Sequence, residues 1–423
     1  MVRLLVVGRG AREHAIAHKA LLSKNMEVYV APGNAGMKEP IRRVPIEETD
    51  FSRLRDFVRQ NKIDYVIVGP EAPIARGVYD DLHDVAKVIA PPQKLAFLES
   101  SKAKAKQFME TIGVPTASAV VFERMRQADA EAYLQGAAYP IVVKASGLAG
   151  GKGVLVAQNN EEALSFLREC FSGVRFGSAG HTVVIEEFLL GEERSVILLS
   201  DGKGYVIFPA ARDYKRLGDG DQGPNTGGMG GYAPADTSQW IESVREKVIE
   251  PTLYALRQAG TPYRGFLFIG LMKVEEEPYV LEYNVRLGDP EAQLILPLVE
   301  NSMEEILYYY TIQKLSELKL RLRPGFSVGV VAATRGYPES PQKGQLIALP
   351  STEEGGARLE ANEYVYWAGV EADESGKLRT TGGRAYTVVG LGETLEVARQ
   401  RAYAGLEKLP FESRHYRTDI AKG

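Results

Sequence analysis

The run Val2 to Val7 stops at Gly8-Arg9-Gly10, and Ala11 to Leu22 then carries a helical pattern; this strand, turn and helix constrain the fold more than any other stretch. Val28 to Val30 is a second strand, followed by the loop Pro32-Gly33-Asn34-Ala35-Gly36, and Tyr65 to Val68 a third, ending at Gly69-Pro70. Strands that alternate with helical stretches predict a parallel sheet with crossover helices, whose ligand sites lie at the carboxyl ends of the strands. All three loops sit at those ends. Val88-Ile89-Ala90-Pro91-Pro92 closes the unit near residue 100, and a basic helix from Ser101 to Ile112, ended by Gly113-Val114-Pro115, opens the next.

From Ile141 the pattern changes. Ile141 to Lys144, a glycine-rich turn from Gly147 to Gly153, and Val154 to Val156 read as strand, loop, strand. Strand signals recur at Val183 to Phe188, Ser195 to Leu199, Gly265 to Val274 and Tyr279 to Tyr283, so residues 115 to 295 form a mixed or antiparallel α+β unit. Between them Gly218 to Gly231, rich in Gly, Asp and Asn, is expected to be a loop. After Pro324-Gly325 a third unit runs from a strand at Ser327 to Ala332 to a last helix near Leu395 to Leu409. The predicted fold class is therefore α/β and α+β multidomain, divided at 1–101, 102–324 and 325–423, which suits 423 residues at about 150 per domain.

Apolar residues at 44% and charged residues at 25% exclude disorder, collagen-like repeats and a disulfide scaffold. A formal charge of -4 gives no reason to expect nucleic acid as a partner, so any phosphate chemistry must be local. Cys170, the single cysteine, reads as part of a packed helix face, since no histidine completes a nucleophile signature with it. Its solitude suits a reducing compartment, and no stretch approaches the roughly 20 apolar residues of a membrane span, so the chain is expected in the cytoplasm with no membrane partner.

The turn Gly8 to His14 invites a dinucleotide fingerprint, but Glu13 stands where the third glycine belongs and no acid ends the second strand. A helix N-terminus with Arg9 and Arg12 nearby still favours a phosphate-bearing substrate over a plain tight turn, and Asn34, Gly36 and Glu71 could complete its pocket. Around Lys144 to Val154, two lysines flank a glycine-rich turn that enters a strand, not a helix, which excludes a Walker A loop yet leaves a phosphate cradle against a mobile hairpin with solvated lysines. Glu186-Glu187 and Glu192-Glu193 read by themselves as a charged turn. Glu282, Asn284 and Arg286 alternate onto one face of a strand; the oxygens suit Mg²⁺ on a nucleotide phosphate and the guanidinium suits a transferring phosphoryl group, with an exposed sheet face as the alternative. Asp289 and Glu291 are either ligands or helix N-terminal acids. The five histidines show no zinc spacing.

Taken together, Gly8-Arg-Gly-Ala-Arg-Glu-His14, Pro32-Gly-Asn-Ala-Gly36, Val68-Gly-Pro-Glu-Ala-Pro73, Gly147-Leu-Ala-Gly-Gly-Lys-Gly153, Glu186-Glu-Phe-Leu189, Gly223-Pro-Asn-Thr-Gly-Gly-Met-Gly230, Glu282-Tyr-Asn-Val-Arg286, Gly288-Asp-Pro-Glu291 and Gly382-Gly-Arg384 resemble the ATP-grasp superfamily and, within it, the glycinamide ribonucleotide synthetase family. The resemblance implies an N-terminal Rossmann-like α/β domain, central ATP-grasp lobes with the smaller at about 116–190, and a small C-terminal α+β domain. It implies that ATP phosphorylates the carboxylate of glycine and that the amine of 5-phosphoribosylamine attacks the acyl phosphate. By correspondence Lys102 or Lys106 and Lys144 would hold ATP phosphates beneath Gly150, Gly151, Lys152 and Gly153. Glu186, Glu187 and the backbone at Leu189 would read adenine, with Glu193 on ribose. Glu282 and Asn284 would bind Mg²⁺, or Mn²⁺ in its place. Arg286, Asp213 and Lys144 would be catalytic, and Asp213 with Asn225, Thr226, Gly227, Gly228, Met229 and Gly230 would receive glycine or cover the intermediate. Gly10, Arg12, Glu13, Asn34, Gly36, Pro70, Glu71 and Asp289 would complete substrate binding.

The chain departs from that family at Ser146, where an Asp is usual, and at Tyr214, where a His is usual. The strand Gly265 to Val274 carries no acid for a second metal site. Another carboxylate-amine ligase of the same superfamily, and an idle nucleotide-binding protein that keeps the fold, are the alternatives. Oligomeric state is open between monomer and weak dimer.

Overall fold

The computed structural model describes residues 1–348 and 352–422. Its first sheet has five parallel strands in the order Arg42–Arg43, Met26–Pro32, Val2–Gly8, Tyr65–Val68 and Lys87–Ile89. Leu4 to Val7 are all fully buried, as the middle strand of a sheet covered on both faces requires. The helix Ala11–Leu21 follows the first strand directly, so the Gly8 to Gly10 turn, Gly33 to Gly36 and Gly69-Pro70 gather at one end, as expected.

Next come two antiparallel sheets of four strands, the pair that the ATP-grasp resemblance implies. The smaller lobe orders Ala119–Glu123, Thr182–Glu187, Ile141–Ala145 and Val154–Ala157; the larger orders Tyr205–Ile207, Glu192–Asp201, Arg264–Val274 and Glu277–Asn284. Local sequence sets the helix ends around them. Ser101 accepts from the Lys104 amide to start Lys102–Ile112, and Gly113, at φ 73°, ends it. Asn159 and Gly173 do the same for Asn160–Ser172, whose buried face holds Cys170 among Phe166, Leu167 and Phe171. Burial pushes the Cys170 thiol up to about 12, in keeping with a packing role.

Gly218 to Gly231 is not the loop expected. Arg216–Gly218 and Gln222–Asn225 form a hairpin, and Gly230–Ala233 is a strand hydrogen-bonded to Phe326–Thr334. That strand and Arg212–Asp213 extend the last sheet, which runs Arg212–Asp213, Gly230–Ala233, Phe326–Thr334, Arg384–Gly392, Glu363–Trp367 and Arg358–Glu360, with Arg414–His415 as its seventh member. The C-terminal unit is therefore completed by residues from the middle of the chain. The helix Leu395–Glu407 covers it. No described helix is long and apolar enough to cross a membrane.

Candidate active site

At the N-terminal loops, Glu13 is buried: its Oε2 accepts from the Gly10 amide at 2.6 Å and its Oε1 from Arg12 Nε at 2.5 Å. Gly69 is there because a Cβ would lie 1.8 Å from that carboxylate. Arg12 reaches on to the Leu287 carbonyl at 3.2 Å, linking this loop to the far end of the larger lobe. The amides of Ala11, Arg12 and Glu13 donate to no acceptor among the described residues, which leaves the helix N-terminus open to an anion. Arg9 does not join it, contrary to expectation; it turns outward to Glu47 and Glu48. Asn34 is also committed internally. Its Nδ2 donates to the carbonyls of Arg9 (2.7 Å) and Trp367 (2.8 Å), and its Oδ1 accepts from the Gly36 amide at 2.9 Å. Gly36 has no space for a side chain, since a Cβ would stand 2.1 Å from the Trp367 ring. Both residues dock the loop on the C-terminal sheet, which is a structural role.

In the smaller lobe, Glu186 accepts from Lys106 at 3.0 Å and from Lys144 at 2.6 Å, and all three are buried. Burial pushes the Glu186 carboxyl up, but Lys144 and then Lys106 outweigh it and hold it below its ordinary value. Lys106 also donates to Thr116 Oγ1 (2.7 Å) and the Ala117 carbonyl (2.9 Å), so its three protons are spent. Lys102 donates once, to the Gly147 carbonyl at 3.2 Å, and keeps donors to spare. Of the two lysines expected to share a role, Lys102 is the one equipped for a phosphate. Ser146 fastens the lobe to the start of the helix Lys102–Ile112, since its Oγ accepts from the Ala103 amide at 3.1 Å and its carbonyl from the Lys102 amide at 2.8 Å.

The glycine-rich turn bends over this group. Gly150 and Gly151 have φ of 56° and 77°, and a Cβ on Gly151 would lie 3.1 Å from the Thr226 carbonyl, so the two glycine segments meet. Lys152 is exposed, whereas Gly153 is buried against Ala149 and Ala145. At the junction of the lobes Glu187 accepts from the Ser118 amide, while the peptide groups of Phe188, Leu189 and Leu190 make no hydrogen bond among the described residues. They can offer both a donor and an acceptor to a heterocycle edge.

The strand Glu277–Asn284 and its extension bring the expected trio together. Asn284 Nδ2 donates to Glu282 Oε1 at 3.3 Å, and Arg286 donates to Asn284 Oδ1 at 3.2 Å. Burial raises the Glu282 carboxyl, but Lys215, Lys102 and Lys144 overcome it and bring it down to about 2, so it stays ionised at neutral pH. Two groups that the sequence patterns did not single out complete the arrangement. Glu99, buried, accepts from Arg286 at 2.8 Å and from the Val285 amide at 2.8 Å; Lys215 Nζ lies 3.6 Å from Glu193 and 3.9 Å from Glu282. Glu71 of the N-terminal unit stands 3.6 Å from Arg286, which joins two units at one guanidinium. Across the sheet the partner of Glu282 is Gly270, so the neighbouring strand offers no acid there.

Asp213 lies beside Gly228, with its Oδ1 buried and without a hydrogen-bond partner among the described residues; burial and then Glu291 push its carboxyl well above the ordinary value. Glu291 stands in the first turn of the short helix Glu291–Ile295, where its Oε1 accepts from Ser195 Oγ at 2.8 Å. Asp289 is paired with Arg384 at 3.1 Å. Arg384 also donates to the carbonyls of Gly227 and Asp289, and Tyr337 Oη accepts from the Gly227 amide at 3.0 Å, so the C-terminal unit grips the segment from Asn225 to Gly230. Met229 within it is fully buried. Tyr214 lies away from this recess, although its neighbour in the chain lines it. On a strand successive side chains alternate, and Tyr214 points into the C-terminal core between Arg212 and Arg417, its hydroxyl accepting from the Ala421 amide.

Among the described residues no three of His, Cys, Asp or Glu converge on one point. A hard cation held by one carboxylate and an amide oxygen, with phosphates and water as its other ligands, is the Mg²⁺ style of binding, and Glu282 with Asn284 fits it once the Asn284 amide turns its oxygen from Arg286.

Three family models match the chain: phosphoribosylglycinamide synthetase N domain over residues 2–99, its ATP-grasp (A) domain over 100–292 and its C domain over 327–423. The chain is 40% identical over 427 residues to the phosphoribosylamine–glycine ligase of Caldanaerobacter subterraneus, covering 100% of both, and 42% identical over 428 residues to that of Nostoc sp., covering 99% of both. Its fold superposes on the crystal structure of the Thermotoga maritima phosphoribosylamine–glycine ligase with a TM-score of 0.83 at 37% identity, over 99% of this chain and 100% of that one. At 16% identity, the biotin carboxylase domain of Hydrogenobacter thermophilus 2-oxoglutarate carboxylase, solved with ADP and magnesium, shares the fold with a TM-score of 0.71 over 98% of this chain and 91% of that one.

Proposed function

The chain belongs to the phosphoribosylglycinamide synthetase family, and from that premise we propose how its own residues join glycine to 5-phosphoribosylamine, with ATP consumed, to give glycinamide ribonucleotide, ADP and phosphate. It is an ADP-forming carbon–nitrogen ligase of purine biosynthesis. The observation that carries the residue assignments is the convergence on Arg286: Asn284 and Glu282 precede it on the strand, Glu71 reaches it from the N-terminal unit, and Glu99 fixes it.

Lys102 and Lys144 hold phosphate oxygens under the glycine-rich turn, and the free peptide groups at Phe188 to Leu190 read the adenine edge. A divalent cation on Glu282 and Asn284, Mg²⁺ or Mn²⁺, supplies charge neutralisation at the phosphates. The open amides at Ala11 to Glu13 receive the phosphate of 5-phosphoribosylamine, and Glu71 orients its sugar. Asp213, whose buried Oδ1 has no hydrogen-bond partner among the described residues, takes the ammonium group of glycine beside Gly228. Glycine carboxylate then attacks the γ-phosphorus and ADP leaves. Next the phosphoribosylamine nitrogen attacks the acyl carbon, phosphate departs, and the nitrogen loses a proton. Arg286 stabilises charge in both transition states, and no protein nucleophile is needed. The division at 1–101, 102–324 and 325–423 belongs to this proposal, as does a cytoplasmic location, which the lone buried Cys170 supports.

ADP release is measured with ATP, Mg²⁺, glycine and freshly generated phosphoribosylamine, each omitted in turn. Release that needs all four, with a product of the mass of glycinamide ribonucleotide, is the expected result. Release that persists without phosphoribosylamine, or that another amine restores, would point to a different carboxylate-amine ligase.

A further inference from the structure

Lys215 follows Asp213 by two residues and so shares its face of the chain. Its carbonyl accepts from both the amide (2.8 Å) and the hydroxyl (2.9 Å) of Thr226, which pins its main chain while the side chain stays partly exposed. Its ammonium lies 3.6 Å from Glu193 Oε2 and 3.9 Å from Glu282 Oε1, beyond hydrogen-bond range of either and thus between them, as a shared counter-ion stands. Asp213 and Glu291 border the same recess, and Asp213 Oδ1 is buried with no hydrogen-bond partner among the described residues. Glu193 and Glu282 both keep part of their surface in water, and the ammonium between the two carboxylates is a cation that the chain itself supplies at this place.

We propose that Lys215 is a resident counter-ion at the cation seat of Glu282, so that this seat takes a divalent ion only together with the nucleotide. A divalent ion arriving alone would meet the ammonium at close range and be repelled. Nucleotide phosphates bring the negative charge that lets both cations stay, and the four-carbon stem lets the ammonium swing toward those phosphates while the main chain remains held at Thr226. Thr226 is also the residue that Gly151 touches, so the lysine pivots where the two glycine segments meet. The inference rests on the reading of Glu282 as a metal ligand.

Binding of Mn²⁺ alone to the full chain, followed by electron paramagnetic resonance without nucleotide, tests it. Lys215→Met is expected to bind Mn²⁺ at least tenfold more tightly than the wild type, and Lys215→Arg to bind as the wild type does. Lys215→Gln serves in its place should circular dichroism show Lys215→Met unfolded. Adding Glu282→Gln to the neutral variant should abolish the gain. Equal Mn²⁺ affinity in wild type and neutral variant would overturn the counter-ion role; if wild-type Mn²⁺·ATP binding still depended on Glu282, the metal-ligand reading would survive that failure. A gain that persists with Glu282→Gln would overturn both.

Discussion

Arg286 owes its position to Glu99, which lies at the end of the short helix Phe97–Ser100 and takes both the guanidinium and the adjoining Val285 amide. Removing one partner of a buried charge pair leaves the other unpaired, so Glu99→Ala should cost about 3–5 kcal/mol of stability. It should also lower kcat by about 10- to 100-fold through the loosened guanidinium, while the KM for ATP changes little. Glu99→Gln should restore most of the stability, because it still accepts from Val285, but less of the rate. Thermal unfolding and steady-state kinetics separate the two, and an Ala variant with an unaltered kcat would remove Glu99 from the account. At this scale the sequence was uneven as a guide. Glu282, Asn284 and Arg286 were legible because a period of two sets polar residues on one face of an apolar strand. Glu99 was not, since 186 residues separate it from Val285 and a carboxylate at a helix end looks like any solvated acid. Lys215 carried a signal that went unused: its spacing from Asp213 is the same period of two. Asn34 and Gly36 were visible as special positions, but their reason is the Trp367 contact, which no local pattern encodes.

Among the elements, the segment from Gly218 to Gly231 shows how composition misleads. Glycines marked it as a loop, yet Gly230 begins a strand because that strand must pass close to its neighbour: at φ 139°, a Cβ would sit 2.3 Å from the Gly329 carbonyl. Gly230→Ala should therefore lose about 2–4 kcal/mol of stability through backbone displacement. Gly227→Ala meets only the ends of the Arg384 and Tyr337 side chains, which can shift, and should fold nearly as well as the wild type. Chemical denaturation compares the pair, and equal losses would contradict the packing role of Gly230. Elsewhere the elements followed local rules. Four of the parallel strands showed as apolar runs, whereas Arg42–Arg43, exposed at the sheet edge, gave no such signal, and the Ile141 to Val156 hairpin showed as two runs around glycines.

For the whole molecule, the cleft is made where three units meet. Arg12 and Glu71 come from the first, Lys144, Glu282 and Arg286 from the lobes, and Arg384 from the last. Chain order could not show the pairing of Gly230–Ala233 with Phe326–Thr334, because that is a long-range choice. Such a site suits a reaction that must keep an acyl phosphate from water while a second substrate reaches it. In the proposed order of steps the carboxylate of glycine is phosphorylated before the amine attacks. Glycine labelled with ¹⁸O in both carboxyl oxygens, supplied with ATP, Mg²⁺ and phosphoribosylamine, tests it by mass spectrometry of the released phosphate. One ¹⁸O in each phosphate and one retained in the amide of the product are expected. Phosphate free of label, with glycinamide ribonucleotide still formed, would contradict that order.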